Sequence, residues 1–219
     1  MNIALGLVVT AGALLLTSVL AAGALRLQTL VRLFAASAWF LALLIAGIGW
    51  LHGDEHFYAI AVATVAFKAI VIPMLILHSA RSAGVSGRLR SYLRPASTYF
   101  LLLGIIAFVL IGVHRSPFAA HTDVNYLLAL AVALVLIGLF MMVVRRDILS
   151  QMLGFLTMEN GVAAFSYATV SSLPVLIELG VVAAVTIGVF LMSFLSAHVQ
   201  RLYGTEDTDV LRELTEDAL

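Results

Sequence analysis

Seven times along this chain an apolar run of about 20 residues passes with almost no charge, the length a helix needs to cross ~30 Å of hydrocarbon. The runs cover about 3–24, 30–51, 57–79, 97–114, 125–144, 150–170 and 173–197. A helix can sit in lipid because it satisfies its own backbone hydrogen bonds. Strands of a membrane barrel would be shorter and would alternate apolar with polar residues. Composition agrees: 63% of the residues are hydrophobic and only 11% are charged, whereas soluble domains carry about 25% charged residues. The expected fold is an all-α integral membrane protein, a bundle of seven transmembrane helices. Residues 1–199 form a single transmembrane domain and 200–219 a polar acidic tail. With no cysteine there is no thiolate zinc site, Cys-ligated iron–sulfur cluster or disulfide. The zero net charge leaves no nucleic-acid footprint.

Arginine placement predicts the orientation. Arg26 and Arg32 flank the first connection, Arg81, Arg88, Arg90 and Arg94 lie in the third, and Arg145 and Arg146 in the fifth. Arg201 and Arg212 follow the last span. The second, fourth and sixth connections contribute only Arg115. The positive-inside rule therefore puts the odd-numbered connections and the tail in the cytoplasm and the N-terminus outside. The first apolar run has no basic residue before it and is long for a signal-peptide core, so it is read as a retained helix.

Only three charged side chains fall in the middle of the apolar runs: Lys68, Glu159 and Glu178. A charge at bilayer depth costs roughly 2.5–3.5 kcal/mol on insertion scales, so it needs a partner, water or a task. Glu159 lies in QMLGFLTMENG, nine residues into the sixth span. At 1.5 Å per residue it is roughly 13 Å deep. Asn160 follows it, and Ser166 returns to nearly the same helix face. A carboxyl held there can take and release protons, or it can be a static hydrogen-bonding group between helices. Lys68 is central in the third span, five residues before Pro73, whose missing N–H strands the carbonyl of Ala69 and favours a kink. Its partner is expected to be Glu159 or a carboxylate of another subunit, with water bridging any gap beyond hydrogen-bond reach. Glu178 sits nearer the outer surface, as a relay or structural group. Together the three suit a lateral row at mid-depth, not a straight pore.

The histidines carry less. His52 and His56 have i, i+4 spacing, but Gly53 and a loop setting argue against a metal site. His78 and His198 fall at helix ends, where capping is the simpler role. Asp123 and Asn125 read as caps of the fifth span, and Asp147 as a surface pair with Arg146 or a cap of the sixth. The segment from Thr208 can form a short acidic amphipathic helix. No nucleophile triad, phosphate loop or dinucleotide fingerprint is present.

Residues 136–161, LIGLFMMVVRRDILSQMLGFLTMENG, resemble chain K of respiratory complex I through the arginine pair and turn at Arg145–Leu149 and through Gly154, Met158 and Asn160. Ile187 and Gly188 match its third helix, so the chain-K-like unit covers about 125–198. The Met-Glu-Asn at 158–160 and the Lys-to-Pro stretch at 68–73 make the whole chain similar to hydrogenase-4 component E. Two positions depart from the chain K pattern: its second-helix glutamate falls at Leu156 and its third-helix glutamate near Ala184. The resemblance implies a non-catalytic membrane subunit of a group 4 [NiFe]-hydrogenase or formate hydrogenlyase-type complex in a prokaryotic inner membrane. Its partners would be antiporter-like membrane subunits and hydrophilic hydrogenase subunits holding the nickel–iron and iron–sulfur centres, with no cofactor in this chain. Glu159 would then be the main proton-handling site, Lys68 its modulator and Glu178 an exit-side group, with Asn160 and Ser166 in support. A pure scaffold and a subunit of a multi-component cation/proton antiporter are the competing expectations.

Overall fold

The structure, a computed structural model, describes residues 2–82, 89–115 and 122–169, together with positions 188, 190 and 198. Among these residues the chain is helical. Helix α1 spans Asn2–Gly23, α2 Leu27–His52, α3 His56–Thr64, α4 Ile72–Ser82, α5 Pro95–His114, α6 Thr122–Val144 and α7 Ile148–Thr169. A π-helical segment, Val65–Val71, joins α3 to α4, so these three pieces make one crossing. Six long helical elements are therefore described, each within a few residues of a predicted span. The seventh predicted span, over 173–197, lies outside the described residues, as do Glu178 and the tail. Five of the six, all but α7, are long and apolar enough to traverse a membrane, and the chain is a multi-pass membrane protein.

Helix α2 is the hub. Its buried residues recur every three or four positions from Leu27 through Phe34 and Leu41 to Gly49, and it touches α1, α3, the π segment, α4 and α7. At its end Gly53 adopts the left-handed conformation (φ 68°) and donates its N–H to Gly49 O. Only glycine takes that geometry without strain. Asp54 Oδ1 then accepts the His56 amide at 3.0 Å, opening α3.

Helices α6 and α7 form the tightest pair. Lipid tails are as apolar as leucine, so helices in a bilayer associate through close van der Waals packing over small residues. Here Gly138 on α6 faces the backbone of Met158 and Gly154, and Gly161 faces Ala131 and Val135. A Cβ on Gly161 would stand 2.6 Å from Val135 N, and one on Gly154 2.9 Å from Met141 Cβ. Helix α5 is peripheral, with Phe100, Leu103 and Phe108 on its outer face.

The three arginine-bearing connections meet at one end of the bundle. Residues 89–92 lie beside 144–146: Ser91 and Arg145 form an antiparallel bridge, with Tyr92 N donating to Val144 O (3.1 Å) and Arg146 N to Arg90 O (3.3 Å). Leu89 N donates to Leu25 O at 2.9 Å, bringing in the first connection. Asp147, expected as a surface pair or a cap, takes the position just before α7 and uses its carboxylate for the Arg90 amide (2.6 Å) and the Ser150 hydroxyl (3.4 Å). Asp123 and Asn125 fall inside the first turn of α6, because that helix begins at Thr122.

Candidate functional site

The apolar core has two main halves. One, at the arginine end, gathers Ala22, Phe34, Ile72, Ile137 and Leu156. The other, towards the opposite end, gathers Leu14, Leu41, Ile60, Leu134 and Ala164. On α1, α2, the α3–π–α4 crossing and α7, the residues between these halves include buried polar groups: Ser18 on α1, Ser37 on α2, Thr64 on α3, Lys68 in the π segment, and Thr157 and Asn160 on α7. The bundle thus carries a polar stratum at mid-height. The hydroxyls of Ser18, Ser37 and Thr157 donate to carbonyls of their own helices, at 2.9, 2.7 and 2.8 Å.

Lys68 and Glu159 meet in this stratum. The Lys68 ammonium donates to Glu159 Oε2 as a salt bridge and to Asn160 Oδ1 at 3.0 Å. An ammonium only donates, so the amide must turn its oxygen to the lysine. That leaves Asn160 Nδ2 pointing elsewhere, and it is buried with no acceptor among the described residues. Of the two alternatives for the partner of Lys68, the structure shows Glu159 of the same chain, in direct contact.

Local sequence explains how Lys68 reaches α7. Pro73 lacks an N–H and its ring clashes with a carbonyl one α-turn earlier. The chain answers with a wider turn rather than the simple kink expected: Ile72 N donates back five residues to Phe67 O. Such π turns insert one extra residue and are frequent at functional sites.

The two members of the pair differ in access. The Lys68 side chain is 3% exposed and that of Glu159 12%. On α7 the sequence positions Phe155, Glu159, Val162 and Ser166 fall on one stripe, and Phe155 and Val162 are exposed. Glu159 therefore sits at the border between the core and the uncovered face of α7. Ser166, two turns along, donates to Val162 O at 3.1 Å. Asn160, one residue on, faces inward with Leu153, Leu156 and Ala164.

One buried cation escaped sequence reasoning. Arg145 was expected to lie in a solvated cytoplasmic connection, but it is only 2% exposed. Its Nη2 donates to Ala22 O (2.7 Å) and Ala24 O (2.6 Å), closing the C-terminal end of α1, whose last carbonyls have no helical donor. Burial pushes the Arg145 guanidinium below its usual pKa, while Asp147 and Tyr99 oppose that shift, and an arginine stays charged regardless. The signal was faint: α1 ends with no basic residue in its last turn, so its carbonyls needed a donor from elsewhere.

His52 closes α2, with Nδ1 against Ile48 O at 2.9 Å, and His56 opens α3. His78 and His198 are exposed. Among the described residues no group of three or more His, Asp or Glu is placed to hold a metal ion.

Comparison with known proteins fits this architecture. Residues 126–217 match the family of NADH-ubiquinone/plastoquinone oxidoreductase chain 4L. Over 205 residues the chain is 29% identical to an uncharacterized protein of Mycobacterium tuberculosis, covering 93% of each. Over 204 residues it is 24% identical to hydrogenase-4 component E of Escherichia coli K12, covering 93% of this chain and 94% of that one. Over nearly its whole length the protein is similar to hydrogenase-4 component E. The same identity and coverage hold for hydrogenase-4 component E of Shigella flexneri. No solved structure matches the chain significantly. The component E likeness runs through α1–α5 as well as the chain-4L part, so the positions of Lys68 and Glu159 both lie inside the aligned stretch. Leu156, where the chain K pattern has its glutamate, is completely buried in the apolar half at the arginine end. Glu159, three residues later, reaches the stratum instead.

Proposed function

We propose that this protein is a non-catalytic membrane subunit of a hydrogenase-type, complex I-related redox complex, and that it contributes Lys68, Glu159 and Asn160 to proton translocation or coupling. The observation that carries the reading is the ion pair between the π segment and α7, set between two apolar halves of the core. Glu159 is the group that gains and loses the proton. Lys68 sets its charge balance, and Asn160 holds Lys68 in place when the carboxylate is neutral. Because Glu159 borders the uncovered face of α7, protons pass laterally to a neighbouring subunit or to the seventh span. Glu178 acts on that exit side, and Ser166 supports the same stripe. The chain carries a seven-span domain over 1–199, with its chain-K-like unit at about 125–198 and an acidic cytoplasmic tail at 200–219. It sits in a prokaryotic inner membrane with the N-terminus outside. Its partners are antiporter-like membrane subunits and the hydrophilic subunits that hold the nickel–iron and iron–sulfur centres.

The test is Glu159→Gln in the assembled complex, reconstituted in vesicles. The amide still accepts from Lys68 but cannot carry a proton. Electron transfer should persist while proton uptake per electron falls sharply. Normal pumping by an intact complex would exclude Glu159 as an obligatory relay and favour the second reading, a scaffold in which the pair pins the π segment to α7. A third reading, a subunit of a multi-component cation/proton antiporter, predicts co-purification without nickel- or cluster-bearing partners.

A further inference from the structure

Both tryptophans of the chain lie on one face of α2. That helix packs against α1, α3, the π segment, α4 and α7, and one side of it is left over. Arg32, Ala36, Trp39, Leu43, Ala46 and Trp50 follow one another at alternating spacings of four and three, which keeps them on a single stripe. Arg32, Trp39, Leu43 and Trp50 are exposed, and the two alanines between them are half-buried. Trp50 stands near the end of α2, where a tryptophan ordinarily sits among lipid headgroups. Trp39 does not. It is 51% exposed at the middle of the helix, about 18 Å from Leu27 and about 20 Å from His52 at 1.5 Å per residue. The other exposed Trp and Tyr side chains among the described residues, Trp50, Tyr58 and Tyr92, all stand at or beside helix ends.

The depth of Trp39 sets a hydrogen-bonding problem. Its indole N–H only donates and meets no acceptor among the described residues. Hydrocarbon supplies none, and an unsatisfied polar group there costs free energy. The oxygens of lipid headgroups lie outside a hydrocarbon core ~30 Å thick, so from its middle they are about 15 Å away. The outer face of α5, with Phe100, Leu103 and Phe108, asks for nothing that lipid lacks. A second copy of the chain does not solve the problem either. Packed on the same face about a two-fold axis, it would set stripe against stripe, and Ala36, Trp39, Leu43 and Ala46 carry no side-chain oxygen. A different helix fits. Helices in lipid associate over small residues and through side-chain hydrogen bonds across the contact, and Ala36 and Ala46 leave room on either side of the projecting Trp39 and Leu43.

We propose that this stripe of α2 docks a transmembrane helix of another subunit, one that presents a side-chain oxygen at mid-depth to accept from Trp39. The inference rests on the reading of this chain as one subunit of a membrane complex. In the test, p-benzoyl-phenylalanine replaces Leu43, one turn from Trp39, in the full chain within the assembled complex in native membranes. A second protein carries the probe at Arg32, so the test stands if one probe blocks assembly. After illumination the adducts are mapped by mass spectrometry. They should lie in a membrane-spanning segment of another subunit, within two turns of a Ser, Thr, Asn, Gln, Asp or Glu side chain. Trp39→Phe keeps a ring and removes the donor. It should lower the adduct yield severalfold and, without a probe, the fraction of chain retained in the detergent-purified complex. Trp50→Phe, at headgroup depth, should change neither. Adducts confined to phospholipid or to a second copy of this chain would overturn the proposal, as would a yield and a retention both indifferent to Trp39→Phe. A helix adduct in a complex lacking nickel and clusters keeps the docking face and removes the hydrogenase assignment. A nickel-bearing complex with adducts to phospholipid alone removes the docking face and leaves that assignment standing.

Discussion

Lys68 has nowhere to send its charge except to Glu159 and Asn160, since it is 2% exposed. Glu159 is less confined. Removing one member of a buried pair typically costs about 3–5 kcal/mol because the other is left uncompensated. Glu159→Leu should therefore destabilise the protein by an amount in that range, and Lys68→Met by less, because the carboxylate borders an open helix face. The double variant should recover most of the loss, as an apolar replacement of a whole pair is often neutral or better. Thermal unfolding of the four proteins in detergent measures this cycle. A double variant as unstable as the sum of the singles would mean that the two groups do not act as a pair.

Helices α6 and α7 hold Glu159 and Asn160 in register through Gly138, Gly154 and Gly161. Their backbones pass so close that added carbons must push the helices apart, and overpacking costs typically about 1–3 kcal/mol. Gly154→Leu should thus lower stability by that amount or more and lower proton pumping with it. Gly104→Leu on α5, where a Cβ would meet nothing, should leave both unchanged. Stability and pumping measured on both variants decide the matter. At the arginine end, Arg145→Gln removes the charged donor that closes α1 onto the α6–α7 connection. Hydrogen bonds to charged groups contribute about 1.5–3 kcal/mol each, so amide hydrogen exchange should rise over residues 20–25 and little elsewhere.

For the molecule as a whole, the three arginine-bearing connections are tied together by backbone hydrogen bonds at one end, which is what a shared cytoplasmic face requires. The chain has no cysteine, so single cysteines report cleanly. Arg90→Cys should react with a membrane-impermeant thiol reagent only from the cytoplasmic side, and Glu55→Cys only from the opposite side. The reverse pattern in oriented vesicles would invert the topology. Bundle and stratum belong together at this scale: two apolar halves pack by dispersion, and the polar layer between them is the plane in which charge is held.

Hydropathy and charge alone were enough to place six long helical elements and to single out Lys68 and Glu159, because the cost of a charge in hydrocarbon is so large that it is visible in one dimension. Sequence could not say that the two charges belong to each other. That depended on Pro73 forcing a wider turn, which sets the direction in which Lys68 points, and on glycine contacts that fix the rotation of α7. It also missed Arg145, since burial of a loop residue depends on which helix end lies above it. Pairing across 91 residues is a matter of helix rotation and docking, and only the packed bundle sets those angles.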